Sequence, residues 1–171
     1  MRENLTHGLM RGGWVNLRIA PVSYSTIACL SVAFEPYKAD YTPEAFQDTV
    51  PTVQGCIRRL RNMTVFVAEN DSGRVIGTVA CQVVGSGEGH LRGMAVIPGF
   101  QGRGVADRLL FTAETELRKS SCSRVTLDTT QYLKRAISFY VSHGYKDSGK
   151  VDDYFGMPLF EYEKTWYNET V

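Results

Sequence analysis

An α/β (α+β) domain, with a mixed central β-sheet of about six to seven strands flanked by helices, is predicted by three features of the 171-residue sequence. Apolar and β-branched residues alternate through 64–69 and 74–84 around Asn70-Asp71-Ser72-Gly73, which marks a hairpin. A third strand, 88–97, follows directly after Gly85-Ser86-Gly87 and extends the hairpin into an antiparallel meander. That strand is joined by a glycine-rich turn and a helical pattern over about 104–119 to another strand at 123–128, and a helical crossover of that length makes the two strands parallel neighbours. The sheet is therefore mixed.

The remaining elements follow in chain order. Residues 1–13 have few apolar side chains and end in two glycines, so they read as a flexible tail, as do 168–171, leaving a single domain over 14–167. Residues 14–20 make a short strand with Trp14, Asn16 and Arg18 on one face and Val15, Leu17 and Ile19 on the other; Pro21 ends it. A helix over 22–34 carries Ile27, Leu30 and Phe34 as part of an apolar stripe. In Thr42-Pro43-Glu44-Ala45 an N-cap residue precedes proline at the first helical position, where no hydrogen bond is lost. Pro51 interrupts that helix, and a further one over 53–61 bears the basic residues Arg58, Arg59 and Arg61. On a helix over 133–143, Ala136, Ile137, Tyr140 and Val141 recur at three- and four-residue spacings, and Gly144 terminates it. Strands at 145–150 and 158–166 complete the sheet.

Composition narrows the function classes. With 43% hydrophobic and 22% charged residues and a formal net charge of +1, the chain has no electrostatic footprint for nucleic acid. Cys29, Cys56, Cys81 and Cys122 are widely separated, and with three histidines they form no metal-ligand spacing, so no metal is expected. No apolar run reaches signal-peptide or membrane-spanning length, which makes the cytoplasm the expected location and a membrane partner unexpected.

The turn after residue 97 is the most informative stretch. Gly99, Gly102 and Gly104 precede the helical pattern of Val105, Ala106, Leu109, Leu110 and Ala113. A helix start offers backbone N–H groups without intrahelical partners and the positive end of the helix dipole, and glycine lets a phosphate approach that backbone closely. Arg103 adds a full charge. The spacing matches neither the G-x-G-x-x-G dinucleotide fingerprint nor the G-x-x-x-x-G-K-[ST] loop, so neither a Rossmann enzyme nor a nucleoside triphosphatase is supported.

The run Val96-x-Pro98-x-x-Gln101-Gly102-Arg103-Gly104-Val105-Ala106 resembles the acetyl-coenzyme A signature of the GCN5-related N-acetyltransferases. Ala136-x-x-x-Tyr140-x-x-x-Gly144-Tyr145 is similar to that family's later helix and following strand, and Leu159-x-x-Tyr162-Glu163-Lys164 to its ending, so the resemblance covers 15–164. It implies a splayed sheet with acetyl-coenzyme A as cosubstrate, wedged where 94–97 parts from 125–127. The diphosphate would rest on backbone N–H groups of Gln101, Gly102, Arg103, Gly104, Val105 and Ala106, and the pantetheine arm would pair with the backbone of Met94, Ala95 and Val96. Ala136 and Tyr140 would line the cofactor from the later helix. At Leu133 family members often carry asparagine, whose side chain meets the cofactor arm; Asp128, Thr129, Thr130 and Gln131 are the nearest substitutes.

Direct transfer from a thioester to an amine needs a base for the amine and an acid for the departing sulfur. The family helix makes Tyr140 the candidate general acid. His90, on the strand that would present the thioester and at a place where some family members have glutamate or histidine, is the candidate general base, with Glu88 in reserve on the same face. Alternation also aligns His90 with Arg92 and Met94, and Arg92 is a candidate for orienting an acidic substrate group. Entry for the acceptor is expected between 22–61 and a loop at 151–157, where Tyr37, Tyr41, Phe46, Tyr154 and Phe155 offer aromatic walls and Asp152 and Asp153 would attract a cation. The expected acceptor is a small-molecule amine. A longer acyl group, a protein amino terminus, a non-catalytic coenzyme A-binding scaffold and homodimerisation all stay open.

Overall fold

The computed structural model describes residues 4–10, 13–19 and 24–166. Strands β1 (Asn4–Met10) and β2 (Gly13–Ile19) precede helices α1 (Tyr24–Phe34), α2 (Pro43–Thr49) and α3 (Val53–Leu60). The meander β3 (Thr64–Glu69), β4 (Val75–Gly85) and β5 (Glu88–Val96) follows, then α4 (Val105–Lys119), β6 (Arg124–Thr129) and α5 (Lys134–Ser142). A final hairpin joins β7 (Lys146–Tyr154) to β8 (Met157–Thr165). All strands form one sheet in the order β1-β2-β3-β4-β5-β6-β8-β7.

The β5–β6 pair is parallel and every other neighbouring pair antiparallel, so the mixed α/β class is as the sequence predicts. Among the described residues the strand count is eight. Asn4–Met10 lies inside the stretch read as a tail, yet it pairs with β2 through His7↔Asn16 and Gly8↔Val15. Ladder bonds are made by backbone, so a sheet edge needs few apolar side chains to recruit one more strand. Residues 168–171, Ala20, Pro21 and Val22 lie outside the described residues. The expected loop at 151–157 is also corrected: β7 runs to Tyr154 and only Phe155 and Gly156 turn the chain.

Helix α4 closes one face of the sheet, burying Leu109, Leu110, Ala113 and Leu117 against Ile76, Val125 and Leu127. The contact is close: a Cβ on Gly89 of β5 would stand 2.6 Å from the Leu117 methyl carbons. Tyr145 and Lys164 both donate to Glu114 of α4, at 3.0 and 2.9 Å, so one buried carboxylate ties α4 to the end of α5 and to β8. Helix α1 covers the other face, with Leu30 and Ala33 on Ala95. At the N-terminus of α2, Thr42 caps Ala45 N–H at 3.3 Å and donates to the Phe155 carbonyl at 2.9 Å, which fastens α2 to the β7–β8 turn.

Strand β5 changes partners midway. Glu88, Gly89, His90 and Leu91 pair with Arg124, Val125, Thr126 and Leu127 of β6, and the ladder stops there. On the β4 side Ala80 faces Arg92 but Thr78 faces Ala95, so β5 carries one extra residue, with Gly93 at φ 61°. The extra residue reverses the alternation. Leu91 and Val96 both join the core under α4, whereas Ala95 faces α1. Met94 is therefore not in phase with His90 and Arg92, as simple alternation has it.

Candidate active site

Past Leu91 the outer edge of β5 is free of β6, and a groove of about 690 Å³ runs along it. Met94, Ala95 and Val96 form one wall, Ala136 and Tyr140 of α5 another, and Gly102, Gly104 and Ala106 the end. Two of these glycines have positive φ, Gly102 at 72° and Gly104 at 79°, where a side chain is strained, and no atom stands within 4 Å of a Cβ on Gly102. Helix α4 starts without a side-chain cap; its first backbone bond runs from Arg108 N–H to the Gly104 carbonyl. The N–H groups of Val105, Ala106 and Asp107 are thus left to a ligand or water.

Gln101 spans the groove. It donates from Nε2 to the Val96 carbonyl at 2.9 Å and accepts from Arg135 of α5 at 3.0 Å. One edge carbonyl expected for the pantetheine arm is therefore engaged by a side chain, while Met94 and Ala95 keep their outer edge. Val105 and Arg103 do not line the groove: Val105 is core, offering only its N–H, and the Arg103 guanidinium stacks over Phe100 at 5.3 Å. Lys134 and Arg135 bring the cationic charge instead, from the first turn of α5.

A second cavity, of about 240 Å³, lies beyond Tyr140. Its walls include Thr49 of α2, His90 and Arg92 of β5, Asp128 and Thr129 of β6, Tyr140 of α5 and Tyr154 of β7. The groove and the cavity share Phe34, Met94, Leu133, Ala136 and Tyr140. Tyr140 is buried, its ring packs edge-on against Phe139 and Tyr145, and among the described residues its hydroxyl has no hydrogen-bond partner. Burial pushes that phenol well above its ordinary value, so it stays protonated.

The polar end of the cavity is built around His90. Its Nδ1 lies 2.9 Å from Thr126 Oγ1 and its Nε2 3.6 Å from Asp128 Oδ2. Burial pushes the imidazole below its ordinary value, with Asp128 pulling the other way and Arg92 adding to the lowering. Burial likewise raises the Asp128 carboxyl, against the pull of His90. At neutral pH the imidazole is therefore uncharged. Arg92 pairs with Asp48 at 2.5 Å, and Tyr154 donates to the same carboxylate at 2.6 Å. Thr129 Oγ1 is buried behind the cavity lining with no partner among the described residues.

The profile of the acetyltransferase (GNAT) family matches residues 27–145. The chain belongs to the GNAT family. Mouse N-acetyltransferase 8F1 is 26% identical over 147 residues, which is 83% of this chain and 65% of the mouse protein. Mouse N-acetyltransferase 8B is 26% identical over the same length, with 62% of it covered, so the chain spans just under two thirds of both relatives. The N-alpha-acetyltransferase MAK3 of Arabidopsis thaliana is 28% identical over 93 residues, 52% of this chain and 49% of its own.

Solved GNAT structures share the fold. An acetyltransferase of the family from Staphylococcus aureus Mu50 superposes with a TM-score of 0.72 at 16% identity, over 90% of this chain and 99% of that one. PaiA N-acetyltransferase from Thermoplasma acidophilum, solved in complex with coenzyme A, gives 0.68 at 17% identity, over 88% and 99%. The solved structures show the fold, and membership of the GNAT family supports acyl-coenzyme A-dependent transfer in general.

Several expectations for this GNAT chain need correction. Glu88 does not reach the cavity: Arg124 holds it in an ion-pair cluster with Glu161 and Glu163. Asp128, Thr129 and Thr130, expected as substitutes at the cofactor arm, line the second cavity instead, and Gln131 lines neither. Of the aromatic residues expected around the acceptor, Tyr41 and Tyr154 line the second cavity, Tyr37 lies on the groove, Phe46 packs against the Tyr41 cluster and Phe155 is exposed. Asp152 pairs with Lys150 at 2.9 Å and Asp153 stabilises the Phe155-Gly156 turn, both away from the cavity. Asp48, Thr49, Lys134 and Arg135 carry no sequence signal of a site, because each reads as an ordinary surface residue of an amphipathic helix. Cys29 and Cys81 are buried, with thiols pushed up to about 12 by desolvation, which disfavours a thiolate nucleophile there.

Proposed function

We propose that this chain transfers the acetyl group of acetyl-coenzyme A directly to the primary amine of a small molecule, with both substrates bound together. The observation that carries this reading is the meeting of two cavities at Met94 and Tyr140. Bound acetyl-coenzyme A supplies the thioester. The N–H groups at the start of α4, with Lys134 and Arg135, suit its phosphates, and the free edge at Met94 and Ala95 suits its amide-bearing arm. A backbone N–H on that edge is available to the carbonyl oxygen as it gains negative charge.

Tyr140 is the proton donor in this scheme. As the amine nitrogen bonds to the carbonyl carbon and the carbon–sulfur bond breaks, its O–H protonates the departing sulfur, and the proton shed by the new amide nitrogen restores the phenol. An alkylamine with a pKa near 10 is neutral in only about one molecule in a thousand at pH 7, so the ammonium must first lose a proton. The His90–Asp128 end of the cavity is the basic end that takes it. The Arabidopsis relative suggests a peptide amino terminus as the alternative acceptor. A cavity of about 240 Å³, bounded by Tyr154 and Thr49, favours the smaller one.

Calorimetric titration of the purified chain with acetyl-coenzyme A, followed by a panel of small amines and amino-terminal peptides, tests this. One-to-one binding with turnover of small amines is expected. Absence of binding by folded protein would sink the transferase reading, and turnover of peptides alone would overturn the choice of acceptor.

A further inference from the structure

Resting on the amine-transferase reading above, the geometry points to Asp128, rather than His90, as the group that takes the proton from the acceptor's ammonium, with His90 as its positioning partner. The case is one of hydrogen-bond accounting. Thr126 is buried beneath His90 and has one hydroxyl proton. It can donate to His90 Nδ1 at 2.9 Å, or accept there while donating to the Gly89 carbonyl at 3.4 Å, and the carboxylate beyond Nε2 selects the first arrangement. Donation to Nδ1 leaves the proton of the neutral imidazole on Nε2, the atom that faces the Asp128 carboxylate at 3.6 Å. The opposite tautomer would set a nitrogen lone pair against that carboxylate.

With Nδ1 occupied and Nε2 a donor, His90 has no lone pair open to the cavity. Asp128 does have one. Its carboxylate is about one-third exposed, lines the acceptor cavity, and uses only Oδ2 toward His90. Desolvation raises its basicity, which suits a proton acceptor. The proton balance is simple: the ammonium loses one proton to the carboxylate, giving a neutral amine and a neutral carboxyl group, while the imidazole keeps its charge state throughout. The charged groups around the pair are Arg92 and Glu88 on β5, Glu161 on β8, and Lys150 and Asp152 on β7.

Two acceptors of similar size separate this role from a structural one. Benzylamine is mostly an ammonium at pH 7, and aniline is neutral there. Asp128→Asn is expected to lower kcat/KM for benzylamine about 100-fold, to remove the acidic limb of its pH profile, and to change aniline turnover less than about threefold. His90→Gln should keep that limb, because the carboxylate that titrates is still in place. Loss of the limb in His90→Gln with its survival in Asp128→Asn would overturn the proposal in favour of His90, and equal losses on both amines would overturn it in favour of a packing role. A wild-type chain that binds acetyl-coenzyme A but acetylates no amine would refute the transferase reading instead. Long-range proton–nitrogen spectra of the full chain decide the tautomer without any turnover. A neutral His90 ring protonated at Nε2, assigned with His90→Gln, is expected, and protonation at Nδ1 would refute the assignment.

Discussion

The two halves of β5 share β4 on one side and differ on the other. Glu88 to Leu91 is paired on both edges and packed so closely under α4 that Gly89 has no room for a methyl group. Met94 to Val96 is paired on one edge only, and its second edge faces a groove. In the first half backbone groups are consumed by the fold; in the second they remain for a ligand. A strand can thus be scaffold and binding surface in succession. The cost of a substitution should change in kind, not only in size, from one half to the other.

The largest effect is expected at the end of the open half. Gly104→Glu places a carboxylate and a side chain at φ 79° where phosphates are to sit, so calorimetry should find affinity for acetyl-coenzyme A reduced by a factor on the order of 1,000. Its circular dichroism should stay that of the native chain; retained affinity would break the contrast between the halves. At the junction of the cavities, Tyr140→Phe should lower kcat about 100-fold. Its melting temperature should stay within about 2 °C of wild type, because the hydroxyl has no partner to lose.

In the closed half the reverse is expected. Gly89→Ala, with its methyl 2.6 Å from Leu117, should cost about 1–3 kcal/mol in denaturant unfolding while leaving the cofactor affinity of the folded molecule within about twofold. The smallest effect sharpens the boundary at His90. Burial lowers its pKa, so its contribution to stability is present above the unfolded value near 6.5 and is lost as the pH falls through the lower folded value. Melting temperature should therefore fall less steeply below about pH 6.5 in His90→Gln than in wild type. Equal slopes would show that the ring is as well solvated folded as unfolded.

The same contrast accounts for what was legible in the sequence. The cofactor side is made of consecutive backbone, so Gly102, Gly104 and Ala106 announce it within a few residues. Arg135, bonded to Gln101 across 34 positions, and Lys134 beside it carry no local signal that sets them on that groove. The acceptor side is made of side chains from α2, β5, β6, α5 and β7, and no spacing links Asp48 to Arg92 or Asp128 to His90 until the sheet order is known. His90 is legible because it shares a strand with the splayed edge, whereas nothing local to Asp128 tells which cavity it lines. Helix positions carried over well, since caps such as Thr42 and terminators such as Gly144 are local signals. The first strand was missed because an edge strand needs only a free neighbouring ladder, which composition does not report.

The supernumerary residue at Gly93 has a consequence for how this site can tolerate change. Pairing is a matter of counting: β4 spends two residues where β5 spends three, and everything after that point is one step out of time with what came before. Shortening β5 by that residue would bring the strand back into step, turn the Val96 side chain from the α4 layer to the α1 layer, and exchange it with Ala95. The groove then rests on an odd number, and neither lengthening nor trimming the strand by one can be neutral.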